Sequence, residues 1–252
     1  MIASLPMYDR PETRAAYNRL WHRIRDELRF LWRDRPADGY PLPDDLDTPD
    51  EPWEHWLSPD LILSQTCGLP YRTKLHDKVR LVGTPDFGLP GCSPGYYNSV
   101  IVMRTDDARS GLDDWPDLTL AVNSFASQSG WAAPKSMAER EGVEFAGTLM
   151  TGHHRASALA VADERADIAA IDAQTWRMIQ RWDPWHEALK EVCRTEPSPG
   201  LPLITALPDQ IGDLDFAVGK HFGTVPEDDR AILDLNGIVA IHPDHYLAVP
   251  TP

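Results

Sequence analysis

The chain has 252 residues, with 24 Lys and Arg against 39 Asp and Glu, a formal net charge of −15. Its 42% hydrophobic and 25% charged residues are ordinary for a globular protein, and the length serves one large domain or two modest ones, each able to bury a core. So acidic a balance argues against duplex DNA or an anionic membrane as partner, since both demand a basic face; small anions stay open, because backbone N–H groups can hold them.

The opening run Ile2 to Met7, broken by Pro6, reads as a first strand ending near Tyr8. Asp9 and Pro11-Glu12 then start a helix, with proline and acid in its first turn. Tyr17, Leu20, Trp21, Ile24, Leu28, Leu31 and Trp32 fall three, four and seven apart and mark one buried helical face. Pro36 to Pro52, rich in proline and aspartate, reads as an extended surface loop. Leu61 to Leu63 is a short buried strand followed by Ser64-Gln65-Thr66, and Val79 to Val82 is another. Gly88 to Gly95 holds three glycines and two prolines and must be irregular. Ser99 to Met103 is a strong β run.

Leu118 to Val122 is a strand ending on the polar loop Asn123-Ser-Phe-Ala-Ser-Gln-Ser-Gly130, inside which a helix starts. Gly147 to Thr151 is a short strand leading to Gly152-His153-His154. Arg155 to Glu164 is a helix, Ile168 to Ile171 a strand with Asp172 at its C-terminal end, and Thr175 to Trp182 begins the next helix. A polar, proline-rich stretch from Arg194 to Pro202 precedes Leu203-Ile-Thr-Ala206, and helical pieces follow near Asp209 to Val218 and Glu227 to Asn236. Strands alternate with helices without internal repeat, which predicts an α/β fold with a largely parallel sheet.

Such sheets place ligand sites at the C-terminal ends of strands. Polar clusters stand there five times: Met7-Tyr8, Ser64 to Thr66, Asn123 to Ser129, Gly152 to His154, and Asp172. Taken singly, each fits ordinary helix capping; taken together they point to a ligand site. Ser127-Gln128-Ser129-Gly130 carries the sharpest chemistry. Small hydroxyl residues and glycine at a helix start present N–H and O–H donors to one point, where the helix dipole adds partial positive charge. A tetrahedral oxyanion fits that cradle without Lys or Arg.

Thr151-Gly-His153-His154 sets a second donor group at another helix start, where one of the two histidines would donate to an anion. Two adjacent histidines without a third ligand set are weak grounds for a metal. Asp172 either accepts a hydrogen bond from a ligand or caps the following helix. Trp131 follows the cradle and could wall a pocket, whereas Trp21, Trp32, Trp176 and Trp182 fall at helical spacings that suit core packing.

Gly91-Cys-Ser-Pro-Gly95 matches the hydrolase pattern G-x-S-x-G but fails on chemistry. The residue after the nucleophile must donate its N–H to the oxyanion hole, and here it is Pro94. Cys67 and Cys92 flank adjacent loops, and a disulfide between them is open; Cys193 would stay unpaired. No stretch approaches the ~20 apolar residues of a membrane span. The N-terminus as written shows no export signal, which points to the cytoplasm, or to the periplasm if the N-terminus is trimmed or misassigned.

Ser127-Gln-Ser-Gly130, then Thr151-Gly-His-His-Arg-Ala-Ser157, Ala160-Val161 and Ala166-Asp-Ile-Ala-Ala-Ile-Asp172 resemble the phosphonate/phosphite-type substrate-binding components of ABC transporters over roughly residues 60 to 205. The resemblance implies a two-lobed type II periplasmic-binding-protein fold, with ligand in a cleft and two crossovers, near Tyr96 to Val102 and Arg194 to Leu203. Lobe one would comprise residues 1–97 and 200–252, and lobe two residues 98–199. Carried over by position, Ser127, Gln128 and Ser129 would cradle the oxyanion, His154 or else His153 would donate to it, and Asp172 matches the acidic strand end. Tyr8, Ser64, Gln65 and Thr66 would close the cleft from lobe one. Gln128 stands where the family commonly has a small hydroxyl residue.

The expectation is therefore a solute-binding protein that captures a small oxyanion by hinge closure, with an ABC-transporter permease as partner and with no catalysis, metal or cofactor. The alternative is a cytosolic enzyme on the same scaffold, resembling some menaquinone- and thiamine-pathway enzymes. A third reading is a ligand-sensing module that signals to a partner protein.

Overall fold

The structure of the protein, a computed structural model, describes residues 1–34, 41–207 and 212–252. Its strands are β1 (Ile2–Ser4), β2 (Leu61–Gln65), β3 (Arg80–Asp86), β4 (Tyr96–Tyr97), β5 (Ser99–Arg104), β6 (Thr119–Val122), β7 (Gly147–Met150), β8 (Ile168–Asp172), β9 (Leu189–Arg194), β10 (Ser198–Pro199), β11 (Leu203–Thr205) and β12 (Gly237–Val239). Its α-helices are α1 (Arg14–Leu31), α2 (Pro52–Trp56), α3 (Gly68–Pro70), α4 (Ala133–Arg140), α5 (His154–Ala162), α6 (Ala173–Trp182), α7 (Gly212–Gly223), α8 (Glu227–Leu233) and α9 (Pro243–Leu247). They fall into two compact units. One holds Met1–Gly88, Ser93–Gly95 and Pro199–Tyr246; the other holds Leu89–Cys92, Tyr96–Ser198 and Leu247–Pro252.

In the first unit a five-stranded sheet runs β1-β2-β11-β3-β12. β1 and β2 are parallel, while β11 lies antiparallel to both its neighbours and β12 antiparallel to β3. α1 packs on α7, as its apolar spacing requires: Tyr17, Leu20, Trp21, Ile24 and Leu28 are all buried. Around that stripe Glu27 pairs with Lys220 and Arg19 with Asp229, and the Trp32 indole donates to Asp213. The first strand is shorter than expected. Pro6, which has no N–H to give a ladder, opens a 3-10 turn over Pro6–Tyr8 instead.

In the second unit the order is β7-β6-β8-β5-β9. β7, β6 and β8 run parallel, and β5 runs against both β8 and β9. The core of this sheet is Ile101, Met103, Trp115, Leu120, Val122, Ile168 and Ala170. The largely parallel sheet expected from the alternation of elements is corrected to two mixed sheets. Parallel neighbours need a long crossover connection, which the helices supply for β6, β7 and β8. β5 and β11 are instead the first strands of the two five-stranded sheets that the chain forms after changing unit, reached without such a crossover, and both run reversed. The short β4 and β10 pair with each other beside those two passages.

The expected loop from Pro36 begins outside the described residues; residues 41–51 carry neither helix nor strand. Three bonds tie this segment down: Asp47 N–H to the Ala3 carbonyl, Leu46 N–H to Asn18 Oδ1, and the Trp21 indole to the Pro43 carbonyl. The helical piece expected from Asp209 likewise starts outside the described residues, and its described part is α7. No disulfide joins any of the three cysteines. No described helix is long and apolar enough to cross a membrane.

Candidate functional site

The second unit gathers several polar groups at the C-terminal ends of β6, β7 and β8. β6 ends at Val122, and the chain then turns through Asn123 to Ser127, whose extended backbone caps a π-helical turn over Gln128–Ala132. The Ser127 hydroxyl accepts the Gly130 N–H at 2.9 Å. The π ladder begins with Ala132 N–H donating to the Ser127 carbonyl, so the leading N–H groups of the turn lie ahead of it. The turn runs straight on into α4. Ser127, Gln128 and Ser129 are all buried. From below, the Ser99 hydroxyl on β5 donates to the Ser129 carbonyl at 2.8 Å and fixes the turn on the sheet.

β7 leads through Gly152, whose φ of +90° belongs to glycine, into α5. The two histidines there divide their work. His153 is exposed, and its Nδ1 accepts the Ala156 N–H at 3.1 Å, the N-cap of α5. His154 turns inward and its Nε2 meets the Ser129 hydroxyl at 2.9 Å. Burial pushes the His154 pKa down to about 4, so the ring is neutral at neutral pH. Thr151 and Ser157 join their hydroxyls at 2.6 Å behind this pair. Asp172, buried at the end of β8, accepts the Thr175 N–H at 2.9 Å and caps α6.

Ser129 and His154 thus form a Ser–His couple that residue spacing alone did not disclose. It is not built as a nucleophile and base. A histidine whose pKa lies near 4 has little proton affinity to draw on at neutral pH, and its Nδ1 bonds no orienting carboxylate. Among the described residues no group of three or more His, Cys, Asp or Glu is placed to hold a metal ion.

Two residues beyond those expected complete the arrangement. Asn123 Oδ1 is buried without a hydrogen-bond partner. It lies over Gly130, where a Cβ would stand 1.8 Å from it and 3.0 Å from His154 Cε1, so the turn tolerates only glycine there without a shift. Ser99 is the other. Asn123 had a signal, its place in the polar run after β6; Ser99 sat unmarked in an apolar strand. Trp131 packs on the core of this unit and meets Phe125 edge-on at 4.9 Å.

In the first unit the expected residues are tied into local bonds. Tyr8 is buried, with its ring edge-on to Phe87 at 5.0 Å. Ser64 Oγ pairs with Ser4 Oγ at 2.9 Å, and Ser4 in turn meets His55 Nδ1. Gln65 Nε2 donates to the Leu201 carbonyl and Thr66 N–H to the Pro202 carbonyl.

The fold so built is that of the type II periplasmic binding proteins, and comparison with solved structures agrees. XAC2383 from Xanthomonas citri, solved bound to chloride ion, superposes with a TM-score of 0.71 at 14% identity, covering 97% of this chain and 92% of that one. A binding-protein component of an ABC phosphonate transporter from Pseudomonas aeruginosa gives 0.67 at 19%, over 88% and 79%. PhnD1 from Prochlorococcus marinus, in complex with methylphosphonate, gives 0.70 at 15%, over 97% and 94%. No curated relative matches the chain. Residues 74–246 match the family of periplasmic substrate-binding proteins of phosphonate ABC transporters, and the chain belongs to that family. It is a family of transport substrate-binding proteins, not of enzymes.

Proposed function

We propose that the protein is the receptor for a small tetrahedral oxyanion of the phosphonate, phosphite or phosphate class, held by the turn Ser127–Gly130 with His154 beside it. The observation that carries this reading is the Ser129–His154 couple, Ser129 buried and His154 half-buried, set against a capped helix start. It offers hydroxyl and backbone groups to an anion with no Lys or Arg, in a chain of net charge −15. Gln128 lies within the same turn and Asp172 on the neighbouring strand end; His153, occupied as a cap, is the lesser candidate of the two histidines. Tyr8, Ser64, Gln65 and Thr66 are the first unit's candidate contacts, by position at the ends of β1 and β2. The family description supports a periplasmic setting and an ABC-transporter permease as the partner that takes the ligand on.

A thermal-shift panel of phosphate, phosphite, alkyl- and aminoalkylphosphonates, sulfate and carboxylates tests this. A ligand at ~100 times its Kd stabilises by about 2.7 kcal/mol, or roughly 5–10 °C for a chain of this size. Ser129→Ala should abolish most of that shift. A panel flat across every oxyanion would sink the reading.

A further inference from the structure

We propose that Asn236-Gly237 is a site of spontaneous covalent modification, at which the folded chain converts its own asparagine to aspartate and isoaspartate. The proposal is independent of the ligand and of the receptor reading.

The sequence holds four asparagines, and Asn236 alone is followed by glycine. It lies in the short link between α8, which ends on Asp234 at a left-handed φ of +51°, and β12. Asn236 is exposed. Its backbone N–H donates to the Asp86 carbonyl at 2.8 Å, but among the described residues no hydrogen bond holds its side-chain amide. The amide lies against Gly88, where a Cβ would stand 2.3 Å from Asn236 Nδ2. At Gly237 a Cβ would meet nothing within 4 Å, so the space around the attacking residue is open as well.

The other three asparagines are better protected. Asn18 Oδ1 accepts the Leu46 N–H, Asn98 is buried with its Oδ1 accepting from Arg194, and the half-buried Asn123 sits over Gly130. Arg19, Ser99 and Ser124 follow them, each with a side chain that crowds the neighbouring nitrogen as glycine does not.

The reaction needs only water. The Gly237 nitrogen, having given its proton to hydroxide, attacks Asn236 Cγ. The Cγ–Nδ2 bond breaks, ammonia leaves with a proton taken from water, and a cyclic imide closes. Water then opens the imide at either carbonyl. Opening at Cγ breaks its bond to the Gly237 nitrogen and gives aspartate; opening at the main-chain carbonyl leaves Gly237 joined through Cγ and gives isoaspartate. Water is consumed, ammonia is released, and no atom changes oxidation state.

Isoaspartate routes the main chain through Cβ and Cγ, which lengthens it by a carbon just before β12. That strand lies at the edge of its sheet and pairs with β3 as Gly237↔Asp86, Ile238↔Pro85 and Val239↔Thr84. Its side chains fill the room that two glycines leave: a Cβ on Gly83 would stand 2.6 Å from Ile238 Cδ1, and one on Gly95 would stand 2.2 Å from Val239 Cγ2. The longer chain lifts both from their seats. Aspartate keeps the register and adds a carboxylate by the turn in which Asp86 Oδ1 accepts the Gly88 and Gly95 N–H groups. Isoaspartate is therefore the destabilised product.

Ageing the whole chain in mildly alkaline buffer, followed by peptide mapping that separates aspartate from isoaspartate, tests this. The tryptic peptide beginning at Ala231 holds Asn236 and no other asparagine. It should gain the mass of an amide-to-acid exchange at least about tenfold faster than the peptides carrying Asn18, Asn98 and Asn123, and within about tenfold of its own rate in the urea-unfolded chain. Asn236→Gln should stop the change; if that variant does not fold, the map of the unmutated chain decides. The isolated isoaspartate form should melt at least about 2 °C below Asn236→Asp. A peptide that stays intact, or one that changes only in urea, overturns the proposal, because the fold then protects the site. Equal melting of the isoaspartate form and Asn236→Asp overturns the account of β12.

Discussion

Gly130→Ala puts one methyl group where the site is most tightly drawn. In a helix the exchange ordinarily stabilises by about 0.5–1 kcal/mol, because glycine gives up more backbone freedom on folding. Here the new Cβ would stand 1.8 Å from Asn123 Oδ1, 2.8 Å from Asn123 Cγ and 3.0 Å from His154 Cε1. The short amide cannot simply bend its tip away, since Cγ is also too close; the whole side chain must rotate. Overpacking of this kind costs about 1–3 kcal/mol. Set against the helix gain, the expected net loss is about 1–2 kcal/mol, a Tm drop of about 2–8 °C in a chain of this size. Thermal unfolding reads it directly, and ligand titration should show weakened binding, because the displaced amide presses on the His154 ring. The decisive control is the double variant. In an Asn123→Ala background the two Asn123 obstructions are gone and only His154 Cε1 at 3.0 Å remains, so Gly130→Ala should cost much less than in the unmutated chain, a coupling that a double-mutant cycle isolates. Equal stability of Gly130→Ala and the unmutated chain would refute the reasoning, for then Asn123 is not held over the turn.

Two further outcomes follow from other parts of the structure. Tyr246, buried in the first unit, donates to the Gly200 carbonyl at 3.0 Å and shares a 2.6 Å bond with Thr84 Oγ1. Tyr246→Phe strands both groups and should lower stability by about 1–3 kcal/mol in urea unfolding; a change under about 0.5 kcal/mol would mean the bonds are replaced. His154 keeps a lowered pKa when folded, about 4 against 6.5. Between those values the unfolded chain binds the proton and the folded one does not, so stability falls as pH drops through this window, by at most about 1.4 kcal/mol per unit. His154→Gln should remove that slope from a pH series of unfolding curves, and a slope unchanged by the substitution would place the titration elsewhere.

Periodicity made α1 and the parallel strands legible, because a single face buried against a single neighbour leaves its spacing in the sequence. What it did not disclose shares one cause: the packing there is set from a distance. β9 (Leu189–Arg194) has only its first residue buried, and its charged Lys190, Glu191 and Arg194 suit a strand bonded on one side by β5. β12 and α9 are short and show no period. The reversed direction of β5 and β11 follows from connectivity between units, which no local window contains.

At the site the limit was of another kind. Ser127 and Asp172 were each open to two readings, cap or ligand group, and the two histidines were not told apart; Ser127, Asp172 and His153 are all caps, accepting from Gly130, Thr175 and Ala156 respectively. For a hydroxyl the two roles are not rivals. Ser127 caps with a lone pair and still has its own proton to donate, whereas His153 caps through Nδ1 with an exposed ring. Capping therefore separates the two adjacent histidines where sequence could not. The residue that caps is the one spent on the helix, and the next, carried a step around α5, is the one delivered to Ser129. The same geometry explains why Asn123 was not singled out within its polar cluster. Its partner across the turn is a missing atom, the Cβ of Gly130, and a sequence records that absence only as a glycine in a polar loop, where glycine needs no further reason.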